Sequence, residues 1–205
     1  GELDQARVDL WLEDLHAMID LAAQGPAQEA PRFLVGLRLG AAIACRAAAA
    51  RSDIAGMALW QPVVNGRAAF EADLRRVLIK QMMTDGASKV TREEMLAQLE
   101  RGEGRIDLDG FPLTGALYRG IASLDLLSRE SAFIGPVLLV QLSHSQVLLP
   151  EIQRAADAFR AAGSDVTLQA LVSPPLWARI DRVDCSALAE KTASWLRARA
   201  EGGRA

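Results

Sequence analysis

The stretch FLVGLRLGAAIAC, Phe33 to Cys45, decides the fold. Its first five residues are a short apolar run, the mark of a buried strand. From Leu39 to Ala50 the residues are mostly alanine, and that run reads as a helix thin enough to lie close on a sheet. Between them, Gly36-Leu37-Arg38-Leu39-Gly40 leaves almost no length for a connection. The pattern predicts strand, sharp turn, helix, with small residues on both sides of one side chain at the tip, that of Arg38.

Outward from this point the same rhythm continues. Upstream, Val8, Trp11, Leu12, Leu15, Ile19 and Ala22 recur at helical spacing on one apolar face, and Gly25-Pro26 is expected to end that helix. Downstream, GMALWQPV, Gly56 to Val63, reads as a second short apolar strand stopped by Pro62. Strand, helix and strand within about thirty residues form a βαβ unit, so the strands should be parallel. The pattern then changes. AAFEADLRRVLIKQMM and TREEMLAQLERG are amphipathic helices, the second opened by a capping box of Thr91 and Glu94. GRIDLDGFPLT alternates like a hairpin, and TGALYRGIASLDLL reads as helix. The strand rhythm returns with GPVLLVQLS, Gly135 to Ser143, then a helix from Pro150 to Gly163, a strand from Asp165 to Ser173 and a closing helix carrying Trp195 and Leu196. The expected divisions are a first core half over 1–65, a helical cap insertion over 66–130 and a second core half over 131–205.

Composition narrows the setting. The chain has 205 residues, half of them apolar, with a net charge of −3. That charge argues against nucleic acid as the partner. No apolar run reaches the roughly 18 to 20 residues of a membrane span. Cys45 and Cys185 fall in expected helices, are too few for a disulfide framework, and read as reduced thiols of a cytoplasmic protein. No His/Cys cluster or glycine-rich calcium loop supports a metal, although Asp107 and Asp109 alternate on the hairpin. No phosphate-binding loop or other cofactor motif is visible.

The order of elements resembles the C-terminal part of the α/β-hydrolase fold, a mainly parallel sheet with helices on both faces and a helical cap. WLEDLHAMIDLA, VGLRLGAAIA, LWQPVVNGRAAFEADLRR, DLDGFPLT and SPPLWA are similar to the exosortase A system-associated hydrolase 2 family, found in bacteria with exosortase and exopolysaccharide systems. The resemblance covers nearly the whole chain. It implies that several strands precede the first helix in a full-length relative, so the first strands are expected to be missing here. The edge of strand 33–37 would then be covered by that segment, by a second copy in a homo-oligomer, or by local rearrangement.

The resemblance also implies a triad: a nucleophile at the turn, an acid after the strand ending near Ser143, and a histidine after the strand ending near Val172. The turn holds Arg38, whose guanidinium stays protonated and is no nucleophile. SHSQ after the first of these strands has no carboxylate, and SPPLWARID after the second has no histidine. The only histidines are His16 and His144. The expected function is therefore an α/β-hydrolase-family protein without a working Ser-His-Asp triad. The alternative is a non-catalytic protein that uses the pocket for a small anionic or acyl ligand. A third reading keeps hydrolysis, with His144, flanked by Ser143, as an unorthodox base.

Arg38 sits at a helix N-terminus, where the dipole favours anions and a cation needs a negative partner. Two readings stand open: Arg38 and the helix start at Leu39 bind a carboxylate or phosphate, or Arg38 pairs with an internal carboxylate. Trp60 and Trp177, near strand ends, are candidate pocket walls. Cys45 lies about two turns along the helix and is expected in the core.

Overall fold

The computed structural model describes residues 3–24, 28–85, 91–102, 105–108, 110–178 and 181–202. Gly25-Pro26 and Asp109 lie outside the described residues. The chain divides into two compact units.

The larger unit comprises Leu15–Val64 and the residues from Leu126 onward. Helix α1 (Val8–Ala23) leads to strand β1 (Arg32–Leu37), helix α2 (Leu39–Ala49) and strand β2 (Ile54–Trp60). Helices α3 (Gly66–Asp85) and α4 (Arg92–Glu100), hairpin strands β3 (Arg105–Leu108) and β4 (Phe111–Thr114), and helix α5 (Gly115–Ala122) follow in sequence. Strand β5 (Pro136–Ser143), helix α6 (Pro150–Ala161), strand β6 (Asp165–Val172) and helix α7 (Ser186–Gly202) complete the chain. The sheet has the order β1-β2-β5-β6, and every pair is parallel. The C-terminal ends of all four strands therefore lie along one edge of the sheet.

The core follows from the strand sequences. In β5, Val137, Leu138, Leu139 and Val140 are fully buried, as a strand covered on both faces requires. Ala58, Leu138, Val140 and Leu142 pack with Leu188 and Trp195 of α7. Helix α2 lies on the opposite face. A Cβ on Gly36 would stand 2.5 Å from the Ala41 Cα, so only glycine permits this approach. Ala41, Ala42, Ala44, Cys45, Ala47 and Ala48 are buried along the same helix. Burial pushes the Cys45 thiol far up, which makes it an inert packing residue. Strand β1 pairs only with β2 among the described residues, and Val35 at its middle is 48% exposed.

The smaller unit comprises residues up to Asp14 and Asn65–Asp125. Its helices close on Phe70, Leu74, Leu99, Leu113 and Tyr118. Arg67 donates to Glu100 and, at 2.9 Å, to the Tyr118 hydroxyl. Thr91 and Glu94 form the expected capping box. The hairpin pairs Ile106 with Leu113, and the Asp107 carboxylate accepts from the Gly110 N–H at its turn.

Three sequence expectations need correction. Strand β2 stops at Trp60 rather than Val63, because Gln61 takes a positive φ of 39° and sends its N–H to Val140 O. The helix from Gly115 ends at Ala122, where Ser123 N still donates to Arg119 O, and beyond it Asp125 forms an isolated β-bridge with Asn65. Cys185 precedes α7 instead of lying in it, and its carbonyl accepts from Ala189 N.

Candidate functional site

The end of β1 builds the turn that the glycines announced. Arg38 adopts φ 54° and ψ −119°, a conformation that costs a non-glycine residue roughly 1–3 kcal/mol. Neighbouring strands hold it there. Its N–H donates to Trp60 O at 3.0 Å, and its carbonyl accepts from Val63 N at 3.2 Å and Ala41 N at 3.1 Å. The chain then enters α2 without a side-chain cap. The first N–H groups of that helix, at Leu39 and Gly40, have no intrahelical acceptor. Gly40 is open, with no atom within 4 Å of where a Cβ would stand. Positive helix potential and unpaired donors thus converge beside a cationic side chain.

Among the described residues no carboxylate pairs with Arg38; its guanidinium lies over the Trp177 ring, 4.9 Å from the centroid. The physical cause is the segment after β6. Ser173 N donates to Ser143 O at 3.0 Å, and Pro174-Pro175 turns the chain away from the sheet. From β6 to β1 is three strand spacings, about 14 Å. The Ser173–Trp177 strap and the Arg38 side chain together span that gap across the strand ends. A cation–π contact engages the charge from one face, and among the described residues the planar N–H fork has no acceptor at its edge. Trp177 is 39% exposed.

Leu39 is half-buried beside Arg38. Trp60 turns elsewhere: its indole N–H donates to Thr192 of α7 at 3.1 Å, and the ring packs on the Leu138–Val140 cluster. Ser143 is absorbed by its own loop. It donates to Ser145 O and accepts from Ser145 N and from the Gln141 carboxamide at 3.1 Å. His144 is exposed and makes no hydrogen bond with Ser143 among the described residues. A hydroxyl that donates to a carbonyl has no base to receive its proton.

Two glutamines escaped the sequence reading. Gln141 is fully buried; its Nε2 donates to Val147 O at 2.8 Å and its Oε1 accepts from Leu149 N at 2.7 Å, pinning the loop after β5. Gln61 is buried at the end of β2, and its Oε1 accepts from Leu142 N at 2.7 Å. The available signal was a lone polar residue closing an apolar strand, in LWQPV and LLVQLS. Among the described residues no cluster of metal-ligating side chains forms, and no helix is long and apolar enough to cross a membrane.

A turn of this shape between a parallel strand and a helix is shared by a large group of proteins. The family model for serine aminopeptidases, S33, matches residues 2–109, just over half of the chain. The chain belongs to this family of α/β-hydrolases. Solved structures agree on the fold. Est1E from Butyrivibrio proteoclasticus superposes on 95% of this S33-family chain and 71% of its own, with a TM-score of 0.60 and 15% identity. An esterase from Pyrococcus furiosus covers 95% of this chain and 62% of its own, with a TM-score of 0.56 and 13% identity. A structure of Est1E with bound ferulic acid covers 82% and 60%, with a TM-score of 0.54 and 16% identity. At these identities the likeness is one of fold. The S33-family chain thus spans roughly two thirds of these esterases' length. No curated protein matches its sequence.

Proposed function

We propose that this chain is a hydrolase-fold protein without Ser-His-Asp chemistry, and that it binds a small carboxylate or phosphate at the strand ends. The observation that carries this reading is the pair Arg38 and Trp177. The two stretches where the family resemblance implies nucleophile and histidine meet in space, and an arginine and a tryptophan meet there. Arg38 supplies charge, Leu39 and Gly40 supply backbone donors, and Trp177 supplies an apolar plane. Ferulic acid, held by Est1E, combines a carboxylate with an aromatic body and is a sensible first probe.

The resemblance of VGLRLGA and LWQPVV to the exosortase A system-associated hydrolase 2 family supports a place beside exopolysaccharide systems. Two free cysteines support a reducing, cytoplasmic setting. Residues 66–130 act in this reading as the cap. Ser143 and His144 take no catalytic part, because Ser143 is tied into its own loop.

The test is labelling with a serine-directed fluorophosphonate. The protein is expected to take up no label. Stoichiometric labelling of a serine, abolished by prior denaturation, would overturn the loss of triad chemistry.

A further inference from the structure

We propose that Gln61 is a second side-chain donor of the anion site, so that Arg38 and Gln61 clasp one carboxylate between the ends of neighbouring strands. The inference rests on the anion-binding reading and names a partner for Arg38 that sequence alone does not indicate. Leu37 pairs with Trp60 in the β1–β2 register, so Arg38 and Gln61 are the next two residues, side by side beyond the ladder. The strands are about 5 Å apart there. Arg38 and Gln61 are also the two non-glycine residues with positive φ among the described residues. Both residues stand where the backbone leaves its strand, at the same level of the sheet edge.

Gln61 is 5% exposed, and a buried carboxamide normally satisfies both its oxygen and its amino group. Here only the oxygen is used. Oε1 accepts from Leu142 N, which fixes the plane of the group across the β2–β5 gap and settles which end is nitrogen. Nε2 makes no hydrogen bond among the described residues, and it is not sealed into the core. It is a fixed donor, and Arg38 is the corresponding residue just beyond the end of the neighbouring strand. A donor held in this way is preorganised for an acceptor and loses little freedom on binding. A carboxylate fits: one oxygen takes the Gln61 amide and the other the guanidinium edge, while a planar apolar body lies against Trp177.

The experiment uses wild-type protein labelled with nitrogen-15 and titrated with benzoate, acetate and inorganic phosphate. The side-chain amide signals of Gln61, assigned by triple resonance, are expected to shift with benzoate together with the backbone signals of Leu39 and Gly40. Gln61→Met, of similar size but without the donor, is expected to bind benzoate about tenfold or more weakly by calorimetry. Gln61→Glu keeps an oxygen for Leu142 N and is expected to bind no benzoate at neutral pH. If Leu39 and Gly40 respond while the Gln61 amide stays still and Gln61→Glu binds as wild type does, the clasp is wrong and the Arg38 site stands. If none of benzoate, acetate and phosphate shifts any of these signals, both fall. Phosphate binding with no response to carboxylates would overturn the carboxylate assignment.

Discussion

The two ends of strand β1 each carry an arginine, and the fold treats them differently. Arg32 opens the strand and Arg38 follows its last residue. At the first end, Arg32 lies 3.3 Å from Asp53, which also takes two hydrogen bonds from Arg51 at 2.7 and 2.8 Å. Arg51 reaches Asp20 as well, at 2.7 Å. At the other end Arg38 meets an indole and no acid among the described residues. The first arrangement closes each arginine on an acid. The second is an open charge on a strained turn. The contrast teaches that this chain supplies carboxylates to its arginines at one end of β1, while at the other end none of the described carboxylates reaches Arg38.

The largest effect is expected at the turn itself. Gly36→Ala places a methyl group 2.5 Å from the Ala41 Cα and 2.6 Å from Gly40 O, both backbone atoms that cannot swing away. A loss of about 3 kcal/mol in urea unfolding is expected, at the upper end of overpacking costs. A loss below about 1 kcal/mol would mean that β1 and α2 separate easily, and that the turn is no rigid platform.

Asp53→Asn tests the closed end. It leaves Arg51 and Arg32 without their shared acid, and a loss of about 1–2 kcal/mol is expected for this partly buried network. The pH dependence has a definite sign. The hydrogen bonds from Arg51, above all, hold the Asp53 carboxyl down to about 2, below its ordinary 3.8. Its contribution is therefore complete above about pH 4 and disappears as pH falls toward 2. Wild type and Asp53→Asn should differ most in unfolding midpoint near neutrality and converge below pH 3. A gap that stays constant from pH 7 to 2.5 would refute the ion-network account.

Arg38→Gly has the smallest expected effect and the opposite sign. It removes a cation from a helix N-terminus and relieves a positive φ, so a gain of up to about 1 kcal/mol is expected. Thermal melts decide. A loss larger than that of Asp53→Asn would make Arg38 a structural residue like Arg51, and the contrast between the two ends would fail.

The sequence by itself determined the alternation of strand and helix, the parallel order, and the turn at Arg38. These rest on local rules: apolar runs of strand length, alanine where a helix lies close, glycine where backbones nearly touch. It also put Cys45 in the core and Thr91 on a helix cap. Only the tertiary structure decided what surrounds Arg38. Trp177 is 139 residues away in sequence and reaches it because β6 is three strands from β1 and the segment after it crosses between them. Gln61 became visible for the same reason. A strand's length can be read from its apolar residues, but where it yields to a positive φ depends on which neighbour accepts its last N–H, here Val140 O on a strand some 75 residues further along the chain. Register between distant strands sets side-chain partners at a sheet edge, and register is a property of the folded chain.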